Sequence, residues 1–158
     1  MQKLNILQSL FWKGKETKMS SLDGLYDLAE EENIEVLAVS LPIIGAVSAM
    51  RQSGKCYIGI DPFCLETSSD ECVRLAHELG HCVTGSFYNI HAACDVRAKH
   101  EYAADKWAIK KLVPKDELEE AVKHGFTESW ELSEYFDVTV PFMQKAMSYY
   151  KEQALGRL

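Results

Sequence analysis

The chain has 158 residues, the size of one ordinary globular domain. It is 47% hydrophobic and 26% charged, with 9 glycines and 4 prolines, which excludes disordered, collagen-like and other low-complexity classes. Seventeen Lys and Arg against 24 Asp and Glu leave a net charge of −7, which argues against a chain built to grip nucleic acid or an anionic membrane.

Residues 1–18 stand apart from the rest. They carry four lysines and one glutamate, with Leu4, Leu7, Leu10 and Phe11 at helical spacing. They read as a leader or a docking helix ahead of a single domain over 19–158. Polar Asn5, Gln8 and Ser9 interrupt the apolar run, so it does not read as a secretion signal. Leu22, Leu25, Leu28 and Ala29 then predict a helix ending near Glu32, and Ile34 to Leu41 predict a buried strand. The apolar stretch Val36 to Met50 contains Pro42 and Gly45 and is too short to span a bilayer. Ala46 to Arg51 and Lys55 to Asp61 flank Gln52-Ser53-Gly54 as a hairpin.

A helix is expected after Thr67-Ser68-Ser69, with Ser68 and Glu71 as a capping box and Gly85 as its stop. Further helices are expected over 95–112, 114–123, 127–136 and 141–153. Leu132 to Pro141 resembles a helix-turn-helix, but with only Lys145 and Lys151 nearby it reads as packing. The order of elements predicts an α+β fold with a helical C-terminal half. The five cysteines, Cys56, Cys64, Cys72, Cys82 and Cys94, are odd in number and lack a Cys-x-x-Cys pair. They are expected to be reduced, mostly buried and inert, in a cytoplasmic protein.

The chemistry concentrates in His77-Glu78-Leu79-Gly80-His81, an H-E-x-x-H pattern inside the capped helix. Residues four apart leave one helical face, so both imidazoles can occupy neighbouring corners of a tetrahedral Zn²⁺ site. Glu78, slightly rotated, is placed to act as a base. Leu75, Leu79 and Cys82 form the stripe facing the core. A catalytic site needs a third protein ligand and one open position. Glu101 on the next helix is the candidate, with the adjacent His100 its competitor, because only one of them can face the metal. Asp105, one turn beyond Glu101, is placed to fix a ligand histidine by accepting its second ring N–H. Tyr88, His91, Tyr102 and His124 are candidates for stabilising an oxyanion, with no choice among them.

His77 to His81, then Glu101-x-x-Ala104-Asp105-x-Trp107-Ala108, then Leu112-Val113-Pro114, with the strand Tyr57 to Asp61 upstream, resembles the ImmA/IrrE family of zinc metallopeptidases over roughly residues 22–150. Trp107 stands where the family usually has phenylalanine. The resemblance implies a small thermolysin-like (gluzincin-type) domain with a short sheet packed on the active-site helix. It implies one catalytic Zn²⁺ held by His77, His81 and Glu101, Glu78 as the base and Asp105 in support. It further implies a protein substrate, a repressor-type regulator of the kind encoded on a prophage or integrative element, while the −7 charge is what leads us to expect no direct contact to nucleic acid or membrane. The competing expectation is a zinc-dependent regulatory protein that cuts nothing. An extended substrate is expected to add to the sheet along Lys55 to Asp61, the segment just before the active helix.

Overall fold

A computed structural model describes residues 21–42, 44–88 and 91–156. The leader expected over residues 1–18 lies outside the described residues. The elements run α1 (Ser21–Glu31), β1 (Glu35–Ala38), β2 (Ala46–Met50), β3 (Cys56–Ile60), a 3₁₀ turn (Pro62–Cys64), α2 (Ser68–Thr84), α3 (Cys94–Leu112), α4 (Lys115–Lys123), α5 (Ser129–Phe136) and α6 (Val140–Ala154). This is an α+β fold, mostly helical, with one small sheet. Among the described residues no helix is long and apolar enough to cross a membrane.

The hairpin forms as the turn residues dictate. Gly54 takes φ +84°, which a β-carbon would resist, and Arg51 N–H donates to the Lys55 carbonyl across the turn. β2 then pairs antiparallel with β3, and β1 pairs with it in parallel, giving the order β1-β3-β2. Two sequence expectations change here. The strand expected over 34–41 is shorter and is a largely exposed edge rather than a buried strand. Lys55 to Asp61, expected to offer a free edge, contains the central strand and has partners on both sides. Spacing along a chain says that a strand exists, whereas its neighbours depend on how α1 returns the chain to the sheet.

β3 alternates strictly. Cys56, Ile58 and Ile60 are buried, and Tyr57 and Gly59 face outward. The buried side meets α2, whose Cys72, Leu75, Ala76 and Leu79 are fully buried. Each such leucine contributes roughly 1.5–3 kcal/mol by leaving water. α2 touches both strands of the hairpin, α1 and α3, which makes it the central element of the fold. Its N-cap is Thr67, whose side chain accepts from Asp70 N–H at 3.1 Å, one residue before the expected Ser68. Its stop is Gly85 at φ +65°, as the sequence suggests.

The C-terminal helices pack round the far end of α3. Leu112, Val113, Phe126, Leu132, Phe136, Phe142, Met143 and Ala146 are all buried there. Hydrogen bonds fasten this half to the helix pair. Tyr150 donates its hydroxyl to the Val113 carbonyl at 2.7 Å, and Ser69 donates to Asp137 at 2.8 Å.

The cysteine expectation needs correction. Cys56 of β3 and Cys82 of α2 form a disulfide, with Cα atoms 5.9 Å apart. They lie 26 residues apart, and only the packing of α2 on the sheet brings them together. Cysteine usage therefore carries no argument for a reducing compartment. Cys64, Cys72 and Cys94 are free. Burial, helped by the charges of Asp137 and Glu71, pushes the Cys72 thiol up to about 12, so it is inert at neutral pH.

Candidate metal centre

His77 and His81 leave α2 one turn apart on one face, as the i, i+4 spacing requires. Their rings meet edge to face with centroids 4.8 Å apart. The third residue comes from α3, which packs against α2 at a point of unusually close approach. A β-carbon on Gly80 would stand 2.7 Å from the Ala104 carbonyl oxygen. The absent side chain lets the backbones come together and carries Glu101, one turn before Ala104, up to the two histidines. Of the two competing neighbours, Glu101 belongs to this group and His100 does not.

Ligand atoms of His77, His81 and Glu101 all lie within 4.8 Å of one another. His77 Nε2 is 3.2 Å from His81 Nε2 and 3.2 Å from Glu101 Oε2, and His81 Nε2 is 3.5 Å from Glu101 Oε1. Nitrogen and oxygen ligands 2.0–2.1 Å from a tetrahedral zinc ion stand about 3.3 Å from each other. The two imidazole nitrogens stand at about that separation, and each approaches a different oxygen of the Glu101 carboxylate, Oε2 for His77 and Oε1 for His81.

The hydrogen bonds behind the rings decide which ring nitrogens are turned toward one another. His77 Nδ1–H donates to Asp105 Oδ1 at 3.0 Å, and His81 Nδ1–H donates to the Ser86 carbonyl at 2.7 Å. Both acceptors can only accept, so in the neutral rings both Nε2 atoms carry lone pairs. Two lone pairs and a carboxylate then converge with no proton among them, an arrangement that a positive charge relieves. Without an ion, a proton on His77 takes part of that role. Burial favours its neutral form, but the Asp105 hydrogen bond and the charges of Asp105, Glu78 and Glu101 outweigh it and raise its pKa.

Asp105 is itself held in place. Its Oδ2 accepts from Lys145 of α6 at 2.9 Å. Burial works against its charge, but the bonds from His77 and Lys145 prevail and hold its pKa below the ordinary carboxylate value.

Glu78 is half-buried and lines the same cleft without joining the ligand group. The cleft encloses about 310 Å³. His77, Glu78, Glu101 and Asp105 line one part of it, and Ile44, Ala46, Val73 and Phe142 supply apolar wall. Arg74 lies at its rim, held by Asp70 Oδ1 at 2.9 Å and the Ile44 carbonyl at 3.1 Å.

Of the four candidates for oxyanion stabilisation, Tyr88 lies at the ligand group, where its hydroxyl donates to Glu101 Oε1 at 2.7 Å. That bond, with burial and the Glu101 charge adding to it, raises the phenol's pKa and keeps it a donor. None of the four, Tyr88 included, is among the residues that line the cleft, and His124 makes a hydrogen bond to the Glu120 carbonyl at the end of α4.

Sequence reasoning missed the Ser86 carbonyl, Lys145 and the role of Gly80. Only Gly80 left a signal: a glycine inside a helix marks a close approach. No protein-family model matches the chain, and no curated protein or solved structure matches it either.

Proposed function

We propose that this chain is a zinc-dependent endopeptidase, thermolysin-like in its site and of the ImmA/IrrE kind, acting in the cytoplasm on a repressor-type regulatory protein. The observation that carries the reading is the convergence of ligand atoms from His77, His81 and Glu101, each residue fixed from behind or beside, next to a glutamate outside that group. A structural zinc site closes with four protein ligands, whereas three ligands and a free carboxylate suit hydrolysis.

His77, His81 and Glu101 would hold a zinc ion, which would supply Lewis acidity and lower the pKa of bound water toward neutrality. The protein's own groups do the rest. Glu78 takes the proton of the attacking water and returns it to the leaving amine. Asp105 and the Ser86 carbonyl hold the histidine rings in the tautomer that presents Nε2, and Lys145 steadies Asp105. An extended substrate segment adds along β2, an edge strand whose first residue, Ala46, lines the same cleft as Glu78.

The test uses a proteome-derived peptide library, with cleavage read by mass spectrometry and zinc content read in parallel. Wild type and Glu78→Gln are expected to bind zinc equally, and only wild type to generate new termini. Equal zinc content with identical peptide profiles would refute hydrolysis.

A further inference from the structure

The loop that joins α2 to α3 touches two of the three ligands within three residues. Ser86 is buried, and its carbonyl accepts the His81 Nδ1–H at 2.7 Å. Phe87 lies beside the same imidazole, ring centroids 6.1 Å apart. Tyr88 then reaches the other helix. Its ring lies 6.0 Å from that of His100, and its hydroxyl donates to Glu101 Oε1 at 2.7 Å. The phenol's position is thus set by the loop that also orients His81, and it reaches the one ligand that α2 does not supply.

A glutamate differs from a histidine as a ligand because it offers two equivalent oxygens. It can bind a metal through one of them or chelate through both. With two histidines already present, chelation fills all four positions of a tetrahedral site and leaves none for water. A hydroxyl that donates to one oxygen lowers that oxygen's capacity to bind a cation and leaves the other as the better ligand. Here Tyr88 donates to Oε1, which also stands 3.5 Å from His81 Nε2, while Oε2, to which it does not donate, stands 3.2 Å from His77 Nε2.

We infer that Tyr88 is a positioning residue that keeps Glu101 a single-oxygen ligand, and so keeps one coordination position of the centre free for water or another exchangeable ligand. This deepens the reading of His77, His81 and Glu101 as a metal site and rests on it, but it does not require peptide hydrolysis. It gives the hydroxyl of Tyr88 a role apart from any contact with substrate.

The experiment loads the full chain with Co²⁺ in place of zinc and follows its visible absorption while azide is added. Wild type is expected to show a four-coordinate spectrum that responds to azide. Tyr88→Phe keeps the ring and loses only an exposed hydroxyl, so the melting temperature of its metal-free form should match wild type. Its cobalt bands should shift in position as the second oxygen of Glu101 replaces the exchangeable ligand, and half-saturation should need at least about tenfold more azide. His100→Ala removes the ring contact and keeps the hydroxyl, and it should leave the azide titration near that of wild type.

Cobalt spectra and azide titrations that coincide for wild type and Tyr88→Phe would overturn the assignment while the metal site stood. The same change in His100→Ala as in Tyr88→Phe would overturn it too, because ring packing would then be the cause. A wild-type chain that takes up neither Co²⁺ nor Zn²⁺ would overturn both the assignment and the metal site.

Discussion

Gly80→Ala tests whether the close crossing of α2 and α3 is what assembles the site. A β-carbon there stands 2.7 Å from the Ala104 carbonyl oxygen, 3.0 Å from its Cα and 3.1 Å from its carbonyl carbon, where ordinary contact begins at 3.4 Å. All three atoms are backbone, so no side chain can turn aside and the helices must part by about 0.7 Å (3.4 − 2.7). Overpacking of this kind costs about 1–3 kcal/mol, and alanine's better helix propensity returns about 1 kcal/mol. The net loss, up to about 2 kcal/mol, lowers the melting temperature by up to about 8 °C in a domain of this size. The larger effect falls on the metal. Moving Glu101 outward by about 0.7 Å stretches its 3.2 Å approach to His77, and such a site tolerates only about 0.5 Å of misplacement. Zinc affinity, measured by competition with a chromophoric chelator, should fall by at least about tenfold. Gly85→Ala is the control: it strains a left-handed cap at φ +65° with nothing within 4 Å, so it should cost stability and spare zinc binding. If Gly80→Ala melts with wild type and binds zinc within about twofold of it, the crossing does not set the ligand geometry.

Two further measurements probe the scaffold. Reducing the Cys56–Cys82 bond, or replacing both residues with serine, frees a loop of 26 residues and should cost roughly 3–4 kcal/mol, read as a fall of about 7–14 °C in melting temperature; an unchanged melt would rule out the bond in solution. Asp61 accepts hydrogen bonds from Leu41 and Phe63 N–H, which hold its pKa below the ordinary 3.8. Because the folded pKa is the depressed one, this contribution is complete above about pH 4 and disappears as pH falls through the folded value. Asp61→Asn should therefore be less stable at neutral pH and show a shallower decline on acidification. An acid limb parallel to that of wild type would assign the loss to other carboxylates.

Everything legible in the sequence was local. The i, i+4 spacing of His77 and His81 puts both on one face of any helix that contains them, whatever packs against it. Gly54 and Gly85 mark the turn and the stop because only positive φ satisfies those positions. The boundaries of α2 through α6 follow within a residue or two from caps, prolines and apolar period. The nature of Glu101 and Asp105 as carboxylates at helical spacing was also readable, and so was the rule that only one of His100 and Glu101 can face inward.

What the chain order could not supply was adjacency between segments far apart in sequence. Nothing in Lys55 to Asp61 says that β1 pairs on its second side, since pairing depends on where α1 lays the chain down. Nothing in five scattered cysteines says that β3 and the last turn of α2 meet, so the disulfide was misread. Tyr88, His91, Tyr102 and His124 were equivalent as a list and became unequal only when the Ser86 carbonyl fastened the loop to His81. Lys145 reaches Asp105 across 40 residues because α6 folds back over α3. Helical period fixes what one element shows to its surroundings. Which elements become those surroundings is decided by burial of the whole core, a property that no single segment carries.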